Sequence, residues 1–257
     1  MKTVILCGGL GTRLSEETVI KPKPMVEIGD KPILWHIMKN YLSYDFNNFI
    51  LALGYKGEKI KEYFINYNNL TSNLTVNMKN GEVSKTEGTK ENWEFQMIDT
   101  GKNSMTGARL HRLKKILKPE GRFMMTYGDG LGDINISKLV SFHRKHGKVA
   151  TLVAVRPPAR FGSMIFKENQ VLEFKEKPQT GEGWINGGFF VFESKIFDYL
   201  NGDDTVLEAD PLERLAKDGQ LMAYKHDGFW QCMDTLRDKV NLNKMWNEGN
   251  APWQNWK

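Results

Sequence analysis

The sequence predicts an α/β protein built on a single doubly wound, mostly parallel mixed sheet, with a β-rich excursion in its second half. Three observations carry that expectation. Short continuous apolar runs, which suit strands buried on both faces of a sheet, recur along the chain. Helical spacings of apolar residues fall between them. Glycine clusters follow two of the runs directly, at the strand ends where open α/β sheets bind ligands. The 257 residues, 40% of them hydrophobic, can fill a core, which excludes wholesale disorder. They are expected to form one domain spanning residues 1–257.

The first strand is Val4-Ile5-Leu6-Cys7, and a glycine-rich loop follows at once. Lys31-Pro32 then leads into Ile33, Leu34, Ile37, Met38, Tyr41 and Leu42. Their i, i+1, i+4, i+5 spacing marks one face of a helix with Pro32 in its first turn. Residues 49–53 read as a second buried strand, and residues 58–67 as a helix with Ile60, Tyr63, Phe64 and Tyr67 facing inward. Residues 123–127 form a strand ending in Gly128-Asp129-Gly130; residues 135–146 form a helix and 149–155 another strand. A β-rich stretch covers about 164–192, and helices at 212–217 and 236–246 close the chain. Alternating strand and helix in this order indicates a doubly wound sheet.

Two segments stand apart. Residues 66–93 are rich in Asn, Thr, Lys, Glu and Gly, and read as a solvent-exposed excursion with a hairpin around Asn80-Gly81. It could serve as a plain surface loop, a subunit contact or an active-site lid. The tail, residues 247–257, carries Trp253 and Trp256. Rings of that size at a chain end are expected to dock on the protein's own body or on a neighbour.

Composition excludes further classes. No apolar run approaches the ~18 residues of a membrane span, and the start of the chain has no signal-peptide pattern. Cys7 and Cys232 are the only cysteines, too few for a disulfide framework or a cysteine metal cluster. A cytoplasmic protein without nucleic-acid or membrane partners is expected. The net charge of +5 suits small anionic ligands and is too dispersed for nucleic acid.

The strongest chemical signal is Leu6-Cys7-Gly8-Gly9-Leu10-Gly11-Thr12-Arg13, followed by Lys21-Pro22-Lys23-Pro24. Glycines let the backbone approach a phosphate chain and turn N–H groups toward it. Arg13 adds a planar donor fork and Lys23 a point charge. The set reads as a polyphosphate cradle. It is not a Walker A loop, which ends in Gly-Lys-Ser/Thr, nor a dinucleotide fingerprint, because Leu14 takes the place of the last glycine.

The second signal is Asp129 between Gly128 and Gly130 at a strand end, a good place for a hard cation that also takes water and phosphate oxygens. The best partner carboxylate is Asp234. Asp234 or Thr235 could equally cap the helix starting near Leu236, with Asp238 completing a capping box. The third signal is Glu176-Lys177-Pro178, then Asn186-Gly187-Gly188. Lys177 could neutralise a phosphate monoester, Glu176 and Asn186 could bond sugar hydroxyls, and Gly187 would permit close approach.

These motifs, in this order, resemble those of the sugar-1-phosphate nucleotidylyltransferases. Ser15-Glu16-Glu17-Thr18, residues 104–110 and Arg160-Phe161-Gly162 are similar to the cytidylyl-transferring branch that acts on glucose 1-phosphate. The resemblance extends over essentially the whole chain. It implies a Rossmann-like nucleotidyltransferase fold with a β-rich sugar-binding excursion. Leu6, Cys7, Gly8, Gly9, Leu10, Gly11, Thr12 and Arg13 would wrap CTP, with Lys23 on phosphate at the reacting centre. Ser104, Arg109 and Gly128 would hold the nucleoside. Asp129 and Asp234 would bind Mg²⁺, and Glu176, Lys177, Asn186 and Gly187 would receive glucose 1-phosphate. Arg13, Lys23 and Asp129 would form the catalytic set.

The thymidylyl branch has a glutamine-containing loop where this chain carries residues 100–109, which favours cytidine. UTP or dTTP is the alternative, and a non-catalytic nucleotide-sugar sensor is the alternative of another class. The resemblance further implies a homohexamer and a product used for the O-antigen of surface lipopolysaccharide. The sugar phosphate would attack the α-phosphorus of CTP directly, so no protein nucleophile is expected, and none of the five histidines is expected to be catalytic. All of this requires Asp129 and Asp234 to meet closely enough to share an ion facing the Gly8–Arg13 turn.

Overall fold

A computed structural model describes residues 1–88, 91–157, 163–167, 170–175 and 183–256. Its centre is a seven-stranded sheet. The strands are β1 Thr3–Cys7, β2 Asn48–Leu53, β3 Glu94–Asp99 and β4 Arg122–Tyr127, then β5 Ala150–Val155, β6 Ile185–Glu193 and β7 Leu221–His226. In space they run β7-β5-β6-β4-β1-β2-β3. β1 is parallel to β2 and β4, β2 to β3, and β5 to β7. β6 alone is antiparallel to both its neighbours.

The apolar runs form central strands because both faces of the sheet are covered. Ile5 and Cys7 of β1 belong to one buried cluster, with α1 Ile33–Leu42, α2 Gly57–Leu70, α4 Ile136–His146 and α6 Leu236–Asn247 on that face. Val4 and Leu6 belong to the opposite cluster, under α3 Thr106–Arg112 and α5 Asp210–Lys217. A strand whose successive side chains enter two cores has no polar face to spare, so it reads as a continuous run.

Several expectations are refined. Pro32 stands at the N-cap of α1, with ψ of 147°, one residue before the helix rather than in its first turn. The β-rich stretch divides in two: Ser163–Lys167 and Gln170–Lys175 pair as a separate ribbon, whereas β6 is a central strand of the main sheet. The polar excursion begins inside α2, and its hairpin pairs Asn73–Asn77 with Glu82–Thr86 around Gly81, whose φ is +75°. Both hairpin strands are exposed throughout. The return segment is anchored, with Glu91 3.0 Å from the Lys39 ammonium and Trp93 packed against Phe64 and Tyr67.

The tail docks on the protein's own body. Trp253 is fully buried, stacks on Phe229 at 5.6 Å between ring centres and packs beside His36. Trp256 meets Trp35 edge-on. Among the described residues, no helix is long and apolar enough to cross a membrane.

The strand order reverses at β1: β2 and β3 lie on one side, β4 on the other. Such a switch point leaves a crevice beyond the carboxyl ends of the two diverging strands, where neither connection covers it.

Candidate active site

That crevice is a cleft of about 410 Å³. Leu6, Cys7, Gly8, Gly9, Gly11, Thr12 and Arg13 line it from the β1 side, and Gly128 and Asp129 from the β4 side, with Lys23 between. Leu10 is not in the lining; it is 53% exposed. Gly11 turns the loop at φ +62°, a left-handed conformation, and a Cβ there would lie 2.7 Å from the Thr18 methyl. Its carbonyl accepts from Leu14 N–H at 2.9 Å and Thr18 Oγ1 at 3.0 Å, which locks the turn onto the next helical segment.

The two aspartates meet, although they are far apart in sequence. A short ribbon, Gly130–Gly132 paired with Trp230–Cys232, continues each chain past the sheet. Met233 N–H donates to Asp129 O at 2.8 Å, which sets Asp234 beside Asp129. The Lys23 ammonium donates to both: to Asp129 Oδ2 at 2.6 Å and to Asp234 Oδ1. Arg13 reaches Asp234 Oδ2 at 2.9 Å. One cation is therefore already shared by both carboxylates, facing the Gly8–Arg13 turn.

Burial pulls Lys23 down, but Asp129 and then Asp234 outweigh it and hold the ammonium above an ordinary lysine. Burial pushes Asp234 up, but Lys23 and then Arg13 prevail and hold its carboxyl below the usual range. The capping alternatives resolve onto the neighbour. Thr235 is the N-cap of α6, accepting from Asp238 N–H at 3.3 Å, and Asp238 Oδ2 accepts from Thr235 N–H at 2.8 Å. The Asp234 carboxylate takes no part in the cap and stays with the two cations.

Arg109 is 2% exposed, beneath the glycine loop and outside the cleft lining. Its guanidinium donates to Leu53 O at 3.0 Å, Thr100 Oγ1 at 2.9 Å and Gly101 O at 2.7 Å. Burial lowers its pKa against the opposing pull of Cys7 and Asp99. A Cβ on Gly8 would fall 2.1 Å from Arg109 Cζ, so the loop glycine and the buried arginine share one space. Ser104 is half-buried between Gly101 and α3. Burial pushes the Cys7 thiol far up, against the smaller opposing pull of Arg109, and so disfavours its thiolate.

Asn186 and Gly187 lie on β6, next to β4. Asn186 Nδ2 donates to Tyr127 Oη at 3.2 Å, and Gly187 O accepts from Trp230 Nε1 at 2.8 Å. Glu176, Lys177 and the Arg160-Phe161-Gly162 motif lie outside the described residues.

The family pattern described as nucleotidyl transferase matches residues 2–238. This chain belongs to the nucleotidyl transferase family. It is 51% identical over 256 residues to glucose-1-phosphate cytidylyltransferase of Salmonella typhimurium, each chain covered completely. It is 47% identical over 257 residues to the probable glucose-1-phosphate cytidylyltransferase of Bacillus subtilis, again with both covered completely. The fold is shared with the crystal structure of HddC from Yersinia pseudotuberculosis, at a TM-score of 0.68 and 23% identity over 95% of this chain and 99% of that one.

As a nucleotidyl transferase, the protein has a cleft wall that extends past the residues whose chemistry marks them in the sequence. Pro24, Thr106, Tyr127 and Glu208 complete the lining. Pro24 belongs to the Lys21-Pro22-Lys23-Pro24 motif and Thr106 to the 104–110 segment, and Tyr127 directly precedes Gly128-Asp129. Glu208 has no spacing signal; the fold alone brings it to Thr106, whose Oγ1 donates to Glu208 Oε2 at 2.5 Å.

Proposed function

We infer that this nucleotidyltransferase moves the cytidylyl group of CTP to α-D-glucose 1-phosphate, releasing pyrophosphate and forming CDP-glucose. The observation that carries the reading is identity at half of all positions, end to end, with a glucose-1-phosphate cytidylyltransferase. The cleft supports it: a glycine turn, two cations and two carboxylates meet at one point beyond the sheet.

Two anions must approach each other, and this chain's residues oppose their repulsion. The Gly8–Gly11 backbone and Arg13 receive the triphosphate; Lys23 neutralises the phosphate at which the bond changes. The sugar-phosphate oxygen is the nucleophile, so the protein supplies alignment and charge rather than a covalent intermediate. Asn186, Gly187, Glu176 and Lys177 receive glucose 1-phosphate, Ser104 and Gly128 hold the nucleoside, and Arg109 braces the glycine loop from beneath rather than touching the base. Asp129 and Asp234 fit Mg²⁺: both donors are hard oxygens, a lysine ammonium already bridges them, and phosphate oxygens and water can complete the shell. Bound there, the ion supplies further neutralisation of phosphate charge. The expected assembly is a cytoplasmic homohexamer whose product feeds surface polysaccharide synthesis.

The test is turnover of CTP, UTP, dTTP and GTP, each with glucose 1-phosphate and Mg²⁺, followed by pyrophosphate release and mass analysis of the nucleotide sugar. CTP is expected to give the highest kcat/KM. A higher value with UTP or dTTP would overturn the base assignment, and release of a nucleoside diphosphate would overturn the reaction class.

A further inference from the structure

We propose that Glu208 and Tyr127 form a positioning relay that fixes the amide of Asn186 for the incoming sugar phosphate. The proposal rests on the assignment of Asn186 to the sugar phosphate made above. The three residues come from three elements: Tyr127 ends β4, Asn186 lies on β6, and Glu208 stands in the loop before α5.

Every proton in the relay has one place. Glu208 is a carboxylate and only accepts. Its Oε1 receives the Tyr127 hydroxyl, and its Oε2 the Thr106 hydroxyl at 2.5 Å. Tyr127 has then spent its only hydrogen, and its oxygen accepts from Asn186 Nδ2 at 3.2 Å. Asn186 Oδ1 in turn accepts from Gly188 N–H at 2.9 Å. A flipped amide would set Oδ1 against an oxygen with no hydrogen left, and Nδ2 against an N–H. The carboxylate thus dictates, two residues away, which atom of Asn186 points where.

The ring is fixed as firmly as the hydroxyl. Gly188 has φ of +78°, and a Cβ there would lie 2.4 Å from Tyr127 Cδ2, so the ring lies directly on the backbone of β6. The relay also accounts for a carboxylate in a cleft built for anions. Glu208 is exposed on the cleft wall, and both of its carboxylate oxygens are engaged there, one by Tyr127 and one by Thr106. Tyr127 precedes Gly128-Asp129 directly, so the same residue joins the sugar strand to the carboxylate pair.

The test is steady-state kinetics of Tyr127→Phe, Glu208→Gln, Asn186→Ala and the Tyr127→Phe/Asn186→Ala double variant, with melting temperatures recorded for each. Tyr127→Phe is expected to raise KM for glucose 1-phosphate about tenfold, with KM for CTP and kcat changed less than about threefold. Glu208→Gln should shift the same constant in the same direction, because an amide no longer enforces one polarity. In the Asn186→Ala background, Tyr127→Phe should add less than about twofold, as members of one unit do not multiply. Equal effects on both KM values, or multiplying effects in the double variant, would overturn the relay alone. Absence of wild-type turnover with CTP and glucose 1-phosphate would overturn the functional reading, and the relay with it.

Discussion

Lys23 concentrates the chemistry of the cleft in one atom, since its ammonium lies between Asp129 and Asp234 where a metal would also sit. Removing a preorganised charge from a phosphoryl-transfer site lowers turnover by about 10²–10³. Lys23→Ala and Arg13→Ala are each expected to lose kcat on that scale, and Asp129→Asn at least as much. Initial rates at saturating CTP and Mg²⁺ check this, and unimpaired Mg²⁺-dependent turnover in Asp129→Asn would remove that residue from the metal site. Gly8 tests the support beneath the loop. A methyl there overlaps Arg109 Cζ, so the guanidinium must leave the Leu53, Thr100 and Gly101 oxygens that hold it. Gly8→Ala is expected to cost about 1–3 kcal/mol of stability by overpacking and to raise KM for the nucleotide, read by urea unfolding and kinetics. At this scale the sequence was informative where chemistry leaves a pattern. Glycines beside Arg13 and Lys23, and an aspartate between glycines, are readable because close approach and charge need those residue types. Glu208 was not readable: it sits in an acidic stretch, Leu207-Glu208-Ala209-Asp210, with no periodic partner, and only the fold brings it to Tyr127.

The start of α6 separates two roles that the sequence left tied. Thr235 and Asp238 form the capping box, whereas Asp234 faces Lys23 and Arg13. Thr235→Ala is therefore expected to cost about 1 kcal/mol of stability with kcat retained. Asp234→Asn should do the reverse, abolishing turnover with little change in melting temperature. Calorimetry and rates on the two variants together decide it; the opposite assignment would return Asp234 to the cap. Strands were legible in proportion to their burial. β1, β2 and β4 have neighbours on both sides and cores on both faces, so they appear as unbroken apolar runs. β3 and β7 are edge strands with residues turned to water, Glu94, Gln96 and Asp99 in one and Ala223 and Lys225 in the other. An edge strand paired on one side carries polar residues that blur its pattern, and neither was foreseen. The antiparallel insertion of β6 was also unreadable, because strand order depends on contacts between distant segments. The hairpin at Asn80-Gly81 was readable from the turn itself, since its left-handed glycine is a local requirement.

At the scale of the whole molecule, the tail is held by a histidine that must stay neutral, which makes closure of the fold acid-sensitive. Trp253 Nε1 can only donate, and it lies 3.3 Å from His36 Nδ1. Nδ1 therefore accepts, and Nε2–H donates to Ile28 O at 2.9 Å. Burial pulls His36 down to about 4, against the opposing effect of its bond to Ile28. His143, fully buried between Thr151 and Glu193, is also pulled down to about 4 by burial. An unfolded chain titrates histidine near 6.5, so between about 6.5 and 4 it binds protons that the folded state refuses. The stability from these two residues is complete above about pH 6.5 and is lost as the pH falls toward 4. Each shift corresponds to a loss on the order of 3 kcal/mol. Burial also holds His146 below the ordinary value, so His36→Gln removes one of several such protons, and the slope of unfolding free energy against pH across that window should fall without vanishing. Trp253→Ala is expected to cost about 3–5 kcal/mol at neutral pH, where protonation plays no part. Urea unfolding of wild type and both variants from pH 4 to 7.5 separates the contributions. An unchanged slope in His36→Gln would mean that the tail's docking does not depend on a neutral imidazole, and the acid sensitivity would then belong to His143 and the sheet it braces.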